Sequence, residues 1–364
     1  MSEEKKDDIY PVPLDHTLLP VACGFANAGA TCYWNAMLQA LITCTPLRTV
    51  IEEHDEDPIY LQHPVIQKLR ELYALQQTGD IPLAHDAHST SERENAIMTA
   101  KYNMNNASRY AYELWLVIQD YRRNYDKYNP PAEGAKPSTR SVFELGAQQD
   151  ANEMSMFMLD ILDMLPDVID LFTHIYQVLI YCHKCHDMVS AVQQKELFFA
   201  IDPELRTPQK KELSSMDNHR AEEGDLRSYL IKRHGYVSDF CCPKCKIRDE
   251  YLQIYRLVRV PAIMMVFSKV YHRKLSTKFV PIMHFPASGQ PRVGLRYEAV
   301  AQIQHSGGMG GGHYWATARR YDSDDWSTLN DNSVHQTSKK FQPDVNTYGV
   351  VYCYVGTEKL PDML

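Results

Sequence analysis

Cys23-Gly-Phe-Ala-Asn-Ala-Gly-Ala-Thr-Cys32-Tyr-Trp-Asn-Ala-Met-Leu-Gln39 is the stretch that decides the reading of this chain. Gly24 and Gly29 permit a tight backbone path. A helical pattern then runs over 32–44, with Met37, Leu38 and Leu41 on one face. A thiol at a helix N-terminus meets the positive end of the dipole, which lowers its pKa and favours the thiolate. Most cysteines inside cells are small buried hydrophobes. The loop before Cys32 and the helix after it mark this one as a candidate nucleophile instead. Asn27, in the same loop, carries the amide donor that an oxyanion hole needs.

A thiol hydrolase also needs a base and a group that orients the base. Fifteen histidines make a free choice uninformative. His313 stands out because Gly307, Gly308, Gly310, Gly311 and Gly312 precede it and a strand-like run to Arg319 follows. Glycines there let a substrate backbone approach closely and let a loop move. His305, at the end of the preceding strand, is the rival. Downstream, Asn330 and Asp331 follow a strand beginning near Trp326, and either can accept a hydrogen bond from imidazole and fix its tautomer. Asn-Asp is also an ordinary turn pair.

Cys182-His-Lys-Cys185 and Cys242-Pro-Lys-Cys245 form two C-x-x-C knuckles with 56 residues between them. Each spacing lets both sulfurs bend toward one ion, and four thiolates complete a closed tetrahedral zinc shell. The separation places the knuckles on two hairpins that the fold must bring together. Cys241 adjoins the second knuckle, but Cys242 has the right spacing to Cys245. A thioredoxin-like redox pair would need a strand-to-helix setting, whereas both knuckles lie beside strands. A closed shell has no open position for water, so one structural zinc per chain is expected, with no chemistry of its own.

Around these motifs, 44 % hydrophobic and 23 % charged residues describe a globular chain, and 364 residues allow one large fold or several lobes. A net charge of −8 argues against a phosphate-gripping protein, so no nucleic-acid partner is expected. The charged start MSEEKKDDIY lacks a signal-peptide core. The apolar run 258–267 is broken by Arg259 and Pro261 and falls short of the roughly 18 residues of a membrane span. An intracellular protein, cytoplasmic or nuclear, with reduced thiols and no membrane partner is the expectation.

Residues 1–20 read as a flexible lead-in. Helices are expected over 64–77, 107–119 and 151–165, with 78–105 polar and irregular and 129–141 a loop. After 172 the period shortens: 175–181, 188–199, 251–258, 263–270, 297–304, 313–321 and 348–355 read as strands, and 207–225 as a polar loop. Helices first and strands later is the α+β pattern.

Taken together, these residues resemble the ubiquitin-specific proteases. Gly24-x-x-Asn27-x-Gly29-x-Thr31-Cys32-Tyr33-x-Asn35-x-x-Leu38-Gln39 is similar to that family's cysteine box. Gln148-Gln149-Asp150-Ala151-x-Glu153 is similar to the motif that opens a helix there. Tyr297, Ala301, His305-x-Gly307, Gly312-His313-Tyr314, Trp326, Asn330-Asp331 and Val334 follow its histidine box. The resemblance covers about 20 to 356, in the right order, with the zinc knuckles between the boxes.

It implies a papain-like hand in a single catalytic domain over 21–360: a helical thumb (about 21–172), zinc-tipped fingers (about 173–285) and a β-rich palm (about 286–356). It implies Cys32 as nucleophile, His313 as base and then acid, Asn330 as the orienting residue with Asp331 assisting, and Asn27 as oxyanion donor. Asp150, Gln149, Gly312 and Tyr314 would hold the substrate's tail. The implied activity is hydrolysis after the C-terminal glycine of ubiquitin, with ubiquitin and ubiquitinated proteins as partners and room for an adaptor or regulatory subunit. Three positions depart from the family's usage: Ala30 for asparagine, Ala36 for serine, and Ser268-Lys269-Val270 for Lys-Arg-Phe. A deconjugase of another ubiquitin-like modifier and an inactive zinc-held scaffold are the alternatives.

Overall fold

In the computed structural model the described residues are 23–77, 90–128, 146–201, 235–268, 279–287, 290–308, 311–320, 325–337 and 341–359. The lead-in 1–20, the loops 129–141 and 207–225, and Lys269 and Val270 lie outside them.

Among the described residues eight helices come first: α1 (Cys32–Ile42), α2 (Thr45–Glu53), α3 (Pro58–Gln62), α4 (Pro64–Gln77), α5 (Thr90–Arg123), α6 (Tyr125–Tyr128), α7 (Ala151–Leu162) and α8 (Pro166–Asp170). Prolines open α2, α3 and α8, where a missing N–H costs nothing. α1 is buried over its whole length, which only a central helix tolerates. Trp34 Nε1 donates to the Ala111 carbonyl (2.8 Å) and Trp115 Nε1 to the Tyr33 hydroxyl (3.1 Å), so the indoles bury their rings without orphaning a donor. α5 and α7 are joined where Arg122 bonds Asp160 at 2.9 Å with its guanidinium over the Phe157 ring.

α5 corrects the expectation for 78–105, since the helix begins at Thr90 rather than near Ala107. Residues 90–106 lack an apolar period but hold helix formers such as Glu92, Arg93, Glu94, Ala96 and Met98. Once the amphipathic half is anchored by packing, extension adds one hydrogen bond per residue.

The strands are β1 (His174–Cys182), β2 (Asp187–Glu196), β3 (Phe199–Ile201), β4 (Gly235–Cys241), β5 (Arg248–Arg259), β6 (Ile263–Ser268), β7 (Ile282–Ala287), β8 (Gln290–Gly308), β9 (Gly311–Arg320), β10 (Asp325–Asn330), β11 (Ser333–Thr337) and β12 (Thr347–Lys359). The expected strand 188–199 is thus two, because the chain leaves β2 after Glu196 and β3 pairs in parallel with β6. One sheet runs β2-β1-β5-β4. The other runs β11-β10-β9-β8-β12-β6-β3, with β7 on β8.

The larger sheet is covered on both faces, which explains why β6 and the first eight residues of β12 are buried without a break. Ile263, Met265, Phe267, Val351 and Cys353 pack with the helices, while Met264, Val266, Val350, Tyr352 and Tyr354 point to the opposite core. The smaller sheet has only a small core of its own at its far end, made of Ile180, Cys182, Cys242 and Tyr251. Among the described residues no helix is long and apolar enough to cross a membrane.

Candidate functional site

The site forms where α1 starts, between the helices and the larger sheet. Thr31 is the N-cap residue of α1, yet its side chain does not cap the helix. Its hydroxyl accepts from the Ala28 amide (3.0 Å), and its own N–H donates to Asn27 Oδ1 (3.0 Å). The first-turn amides therefore stay available to Cys32, and the backbone amides of Tyr314, Tyr33 and Cys32 itself favour its thiolate.

Burial outweighs these donors and holds the Cys32 thiol above its ordinary pKa, with the Asp331 carboxylate adding to the rise. The sequence expectation of a depressed pKa is thereby corrected for the free protein: at 3 % exposure, desolvation of the thiolate dominates the helix terminus.

β9 packs against α1 and carries His313, the residue before Tyr314. His313 Nε2 lies 2.6 Å from Asn330 Oδ1, an acceptor that keeps the proton on Nε2 and leaves Nδ1 as the basic nitrogen. Asp331 faces elsewhere. Its carboxylate accepts from Asn27 Nδ2 at 3.1 Å and Asn35 Nδ2 at 2.8 Å. Asp331 has φ of 50° in the two-residue turn joining β10 to β11, a conformation aspartate tolerates better than most. The Phe25 amide donates to the Asp331 carbonyl at 2.8 Å, docking the cysteine loop on this turn. At Gly24 a Cβ would stand 2.5 Å from the Asn332 carbonyl oxygen, so glycine alone permits that contact.

The loop before α7 closes the other side. Asp150 caps α7 through Oδ1, accepting from the Glu153 amide (2.9 Å), while Oδ2 accepts from the hydroxyls of Tyr348 (2.8 Å) and Tyr314 (3.3 Å). A cleft of about 570 Å³ runs along this loop, lined by Gln148, Gln149, Asp150, Phe267, Tyr314 and Tyr348 among others. His305 also lines it and rests on the Tyr314 ring, 4.4 Å between centroids. Gly312 pairs with Gly307, and a Cβ on Gly312 would meet His305 Nε2 and the Ser306 carbonyl, both at 2.5 Å.

Two residues at the site stand in the sequence motifs without a role that sequence could assign. Asn35 sits one turn after Cys32, on the same helix face, and that spacing is the available signal. Gln148 reaches the site from a distant loop: its Oε1 accepts from the Gly312 amide at 2.8 Å, and its Nε2 lies 4.0 Å from Cys32 Sγ. No periodicity marks such a contact.

At the far end of the smaller sheet, Cys182, Cys185, Cys242 and Cys245 bring their sulfurs within 4.8 Å of one another. Metal–sulfur bonds of about 2.3 Å would set tetrahedral sulfur–sulfur edges near 3.8 Å. Cys182 to Cys245 is 3.9 Å and Cys185 to Cys242 is 3.8 Å, so the cluster fits a metal ion. His186 and Lys246, each just past a knuckle, adopt positive φ (54° and 61°), the turn that folds each pair inward. Cys241 stays exposed, its thiol toward the Lys246 carbonyl.

The sequence profile named "Ubiquitin carboxyl-terminal hydrolase" matches residues 23–354. Ubiquitin carboxyl-terminal hydrolase 15 of Rattus norvegicus is 33 % identical over 116 residues, which is 29 % of this chain and 12 % of that protein. Ubiquitin carboxyl-terminal hydrolase 12 of Saccharomyces cerevisiae is 28 % identical over 117 residues, 29 % of this chain and 9 % of that one. The chain thus spans about an eighth or less of these relatives. Among solved structures, a SAGA DUB module of Ubp8, Sgf11, Sus1 and Sgf73 bound to monoubiquitin superposes with a TM-score of 0.58 at 14 % identity, over 96 % of this chain and 72 % of that one. The module bound to ubiquitin aldehyde gives 0.58 at 13 %, over 92 % and 69 %. These neighbours share the α+β, papain-like hand. With a profile match over nearly its whole length, the chain belongs to the ubiquitin carboxyl-terminal hydrolase family.

Proposed function

We propose that the protein is a thiol-dependent deubiquitinase that cleaves the isopeptide or peptide bond after the C-terminal glycine of ubiquitin. The observation that carries this reading is the 2.6 Å His313–Asn330 bond on strands that pack beside the buried, helix-start Cys32. Cys32 sulfur attacks the glycine carbonyl, His313 Nδ1 takes the thiol proton, and the carbon–nitrogen bond breaks as His313 returns that proton to the leaving lysine amine. Water activated by His313 then hydrolyses the thioester. Asn330 orients the imidazole. Asn27 keeps a second Nδ2 hydrogen for the oxyanion, and Asp331 positions it. Asp150, Gln149, Gly312 and Tyr314 hold the tail along the cleft.

The catalytic unit is assigned to about 21–360, with a thumb (21–172), fingers (173–285) and palm (286–356); β3, β6 and β7 leave the middle stretch to join the palm sheet. One zinc ion per chain is assigned to the four knuckle cysteines, where it would hold the hairpins together. Free thiols at a metal cluster and a catalytic site suit a reducing compartment, and the cytoplasm or the nucleus is assigned on that ground. Ubiquitin conjugates are the assigned substrates. The Ubp8 neighbour, seen with three companion chains, supports an adaptor subunit here as well.

Ubiquitin carrying a C-terminal thiol-reactive group tests the reading, run beside probes built on other ubiquitin-like modifiers. The expected result is a covalent ubiquitin adduct that disappears in Cys32→Ala. Labelling only by another modifier's probe would reassign the substrate, and no labelling of folded protein would sink the hydrolase reading.

A further inference from the structure

Gln148 both lines the cleft and touches the nucleophile. A chain lying along Asp150, Phe267 and Tyr348 must therefore pass the Gln148 side chain before its end reaches Cys32. The Gln148 carboxamide is bonded at both ends, through Oε1 to the Gly312 amide at 2.8 Å and through Nε2 toward Cys32 Sγ at 4.0 Å. A carboxamide offers the same donor and acceptor as a peptide unit. It thus satisfies, in the free protein, a backbone N–H that a substrate main chain can satisfy equally well. Cys32 is only 3 % exposed in this state.

We infer that Gln148 is a gate on the thiol: its carboxamide closes the passage between the cleft and Cys32, and the main chain of an incoming substrate displaces it by taking over the Gly312 amide. The inference rests on the reading of Cys32 as nucleophile and adds a residue that governs access to it.

The local chain suits such a movement. Gly146, two residues earlier, has φ of 83°, and Asp150, two residues later, is pinned as the α7 cap. The backbone on the far side of Gln148 is thereby held while the side chain swings about its own rotors. A tail that spreads its binding over a large surface displaces such a latch readily, whereas a small electrophile brings nothing to exchange for it. Burial of the thiol, which pushes the Cys32 pKa up, agrees with a closed resting state.

The test is alkylation of Cys32 by iodoacetamide across a pH series in the full chain, read by mass mapping of the Cys32 peptide. Gln148→Ala should raise the high-pH plateau rate about fivefold, the ratio one net hydrogen bond supports. It should also raise the midpoint of the profile, because the thiolate loses an amide donor. Gln148→Glu keeps the acceptor for Gly312 and places a negative charge by the sulfur. Its plateau should stay near that of the unaltered protein while its midpoint rises further. Labelling by the ubiquitin probe should gain less than labelling by iodoacetamide in Gln148→Ala, so the preference for ubiquitin over iodoacetamide falls.

An unchanged plateau in Gln148→Ala, with thermal unfolding confirming an intact fold, overturns the gate. So does an equal rise in Gln148→Glu. Either result with the probe adduct still lost in Cys32→Ala would remove the gate and keep the hydrolase reading; a raised plateau with no probe adduct would do the reverse.

Discussion

Asn330 and Asp331 are neighbours in sequence with different partners, and their removal should differ accordingly. Asn330→Ala deprives His313 of the acceptor that fixes its tautomer, so turnover of a ubiquitin substrate should fall by about a hundredfold or more. Asp331→Ala frees Asn27 and Asn35 without touching the imidazole, and a smaller loss is expected. Steady-state kinetics of both variants decide it, and the opposite order would reassign the orienting role. Ala30 illustrates a different residue-scale effect. It sits at φ of 55°, where an L-residue other than asparagine or aspartate is strained. Ala30→Asn should stabilise the chain by about 0.5–1 kcal/mol, read as a rise in unfolding midpoint; a fall would show that the side chain clashes.

At the scale of elements, the site depends on two loops docking, the cysteine loop and the β10–β11 turn. Gly24 is the point of contact, so Gly24→Ala must push the Asn332 backbone away and break the Phe25–Asp331 bond. A displacement near 1 Å costs on the order of a hundredfold in rate. The expected outcome is that loss in kcat/KM together with a lowered unfolding midpoint, and turnover equal to the unaltered protein would mean the turn has slack. Sequence shows the parts but not this joint. Period 3.6 exposes α4 and α7, and alternation exposes β1, because each buries a regular stripe against a core. In contrast, α1 and the start of β12 are buried all round and are marked by their apolar content. The first half of α5 carries no apolar period in its sequence and so reads as irregular. β3 holds too few residues to show a period, β4 buries no stripe, and β7 is interrupted by Pro286. Within the site, residue type and glycine spacing mark Cys32 and His313. The choice between Asn330 and Asp331 is set by which carboxyl or amide oxygen the turn aims at β9, and the Gln148 bridge by two loops meeting across the cleft. Neither leaves a pattern along the chain.

The whole molecule is unevenly supported, and metal removal should reveal it. The larger sheet lies between two extensive apolar cores. The smaller sheet ends in a cluster of four buried side chains, two of them cysteines. So little apolar burial cannot offset the conformational entropy of ordering two long hairpins at roughly 1–2 kcal/mol per residue for the backbone. The zinc ion proposed at the knuckle cysteines would supply the missing stability, since its binding free energy would be folding free energy for this sheet. Elemental analysis of purified protein should give about one zinc per chain, and replacing Cys182 and Cys185 together should abolish it. Hydrogen exchange on that variant should show protection lost along β1, β2, β4 and β5 toward the knuckles. Protection of β6, β8, β9 and β12 should stay as before, since neither core of the larger sheet contains a knuckle cysteine and β1 adds only Tyr176 and Val178 to one of them. Cys32 alkylation should then persist, because the thiol belongs to the core shared by the helices and the larger sheet. Retained zinc in the double variant, or protection of β1 and β5 unchanged without metal, would show that the smaller sheet is held by something other than its cysteines.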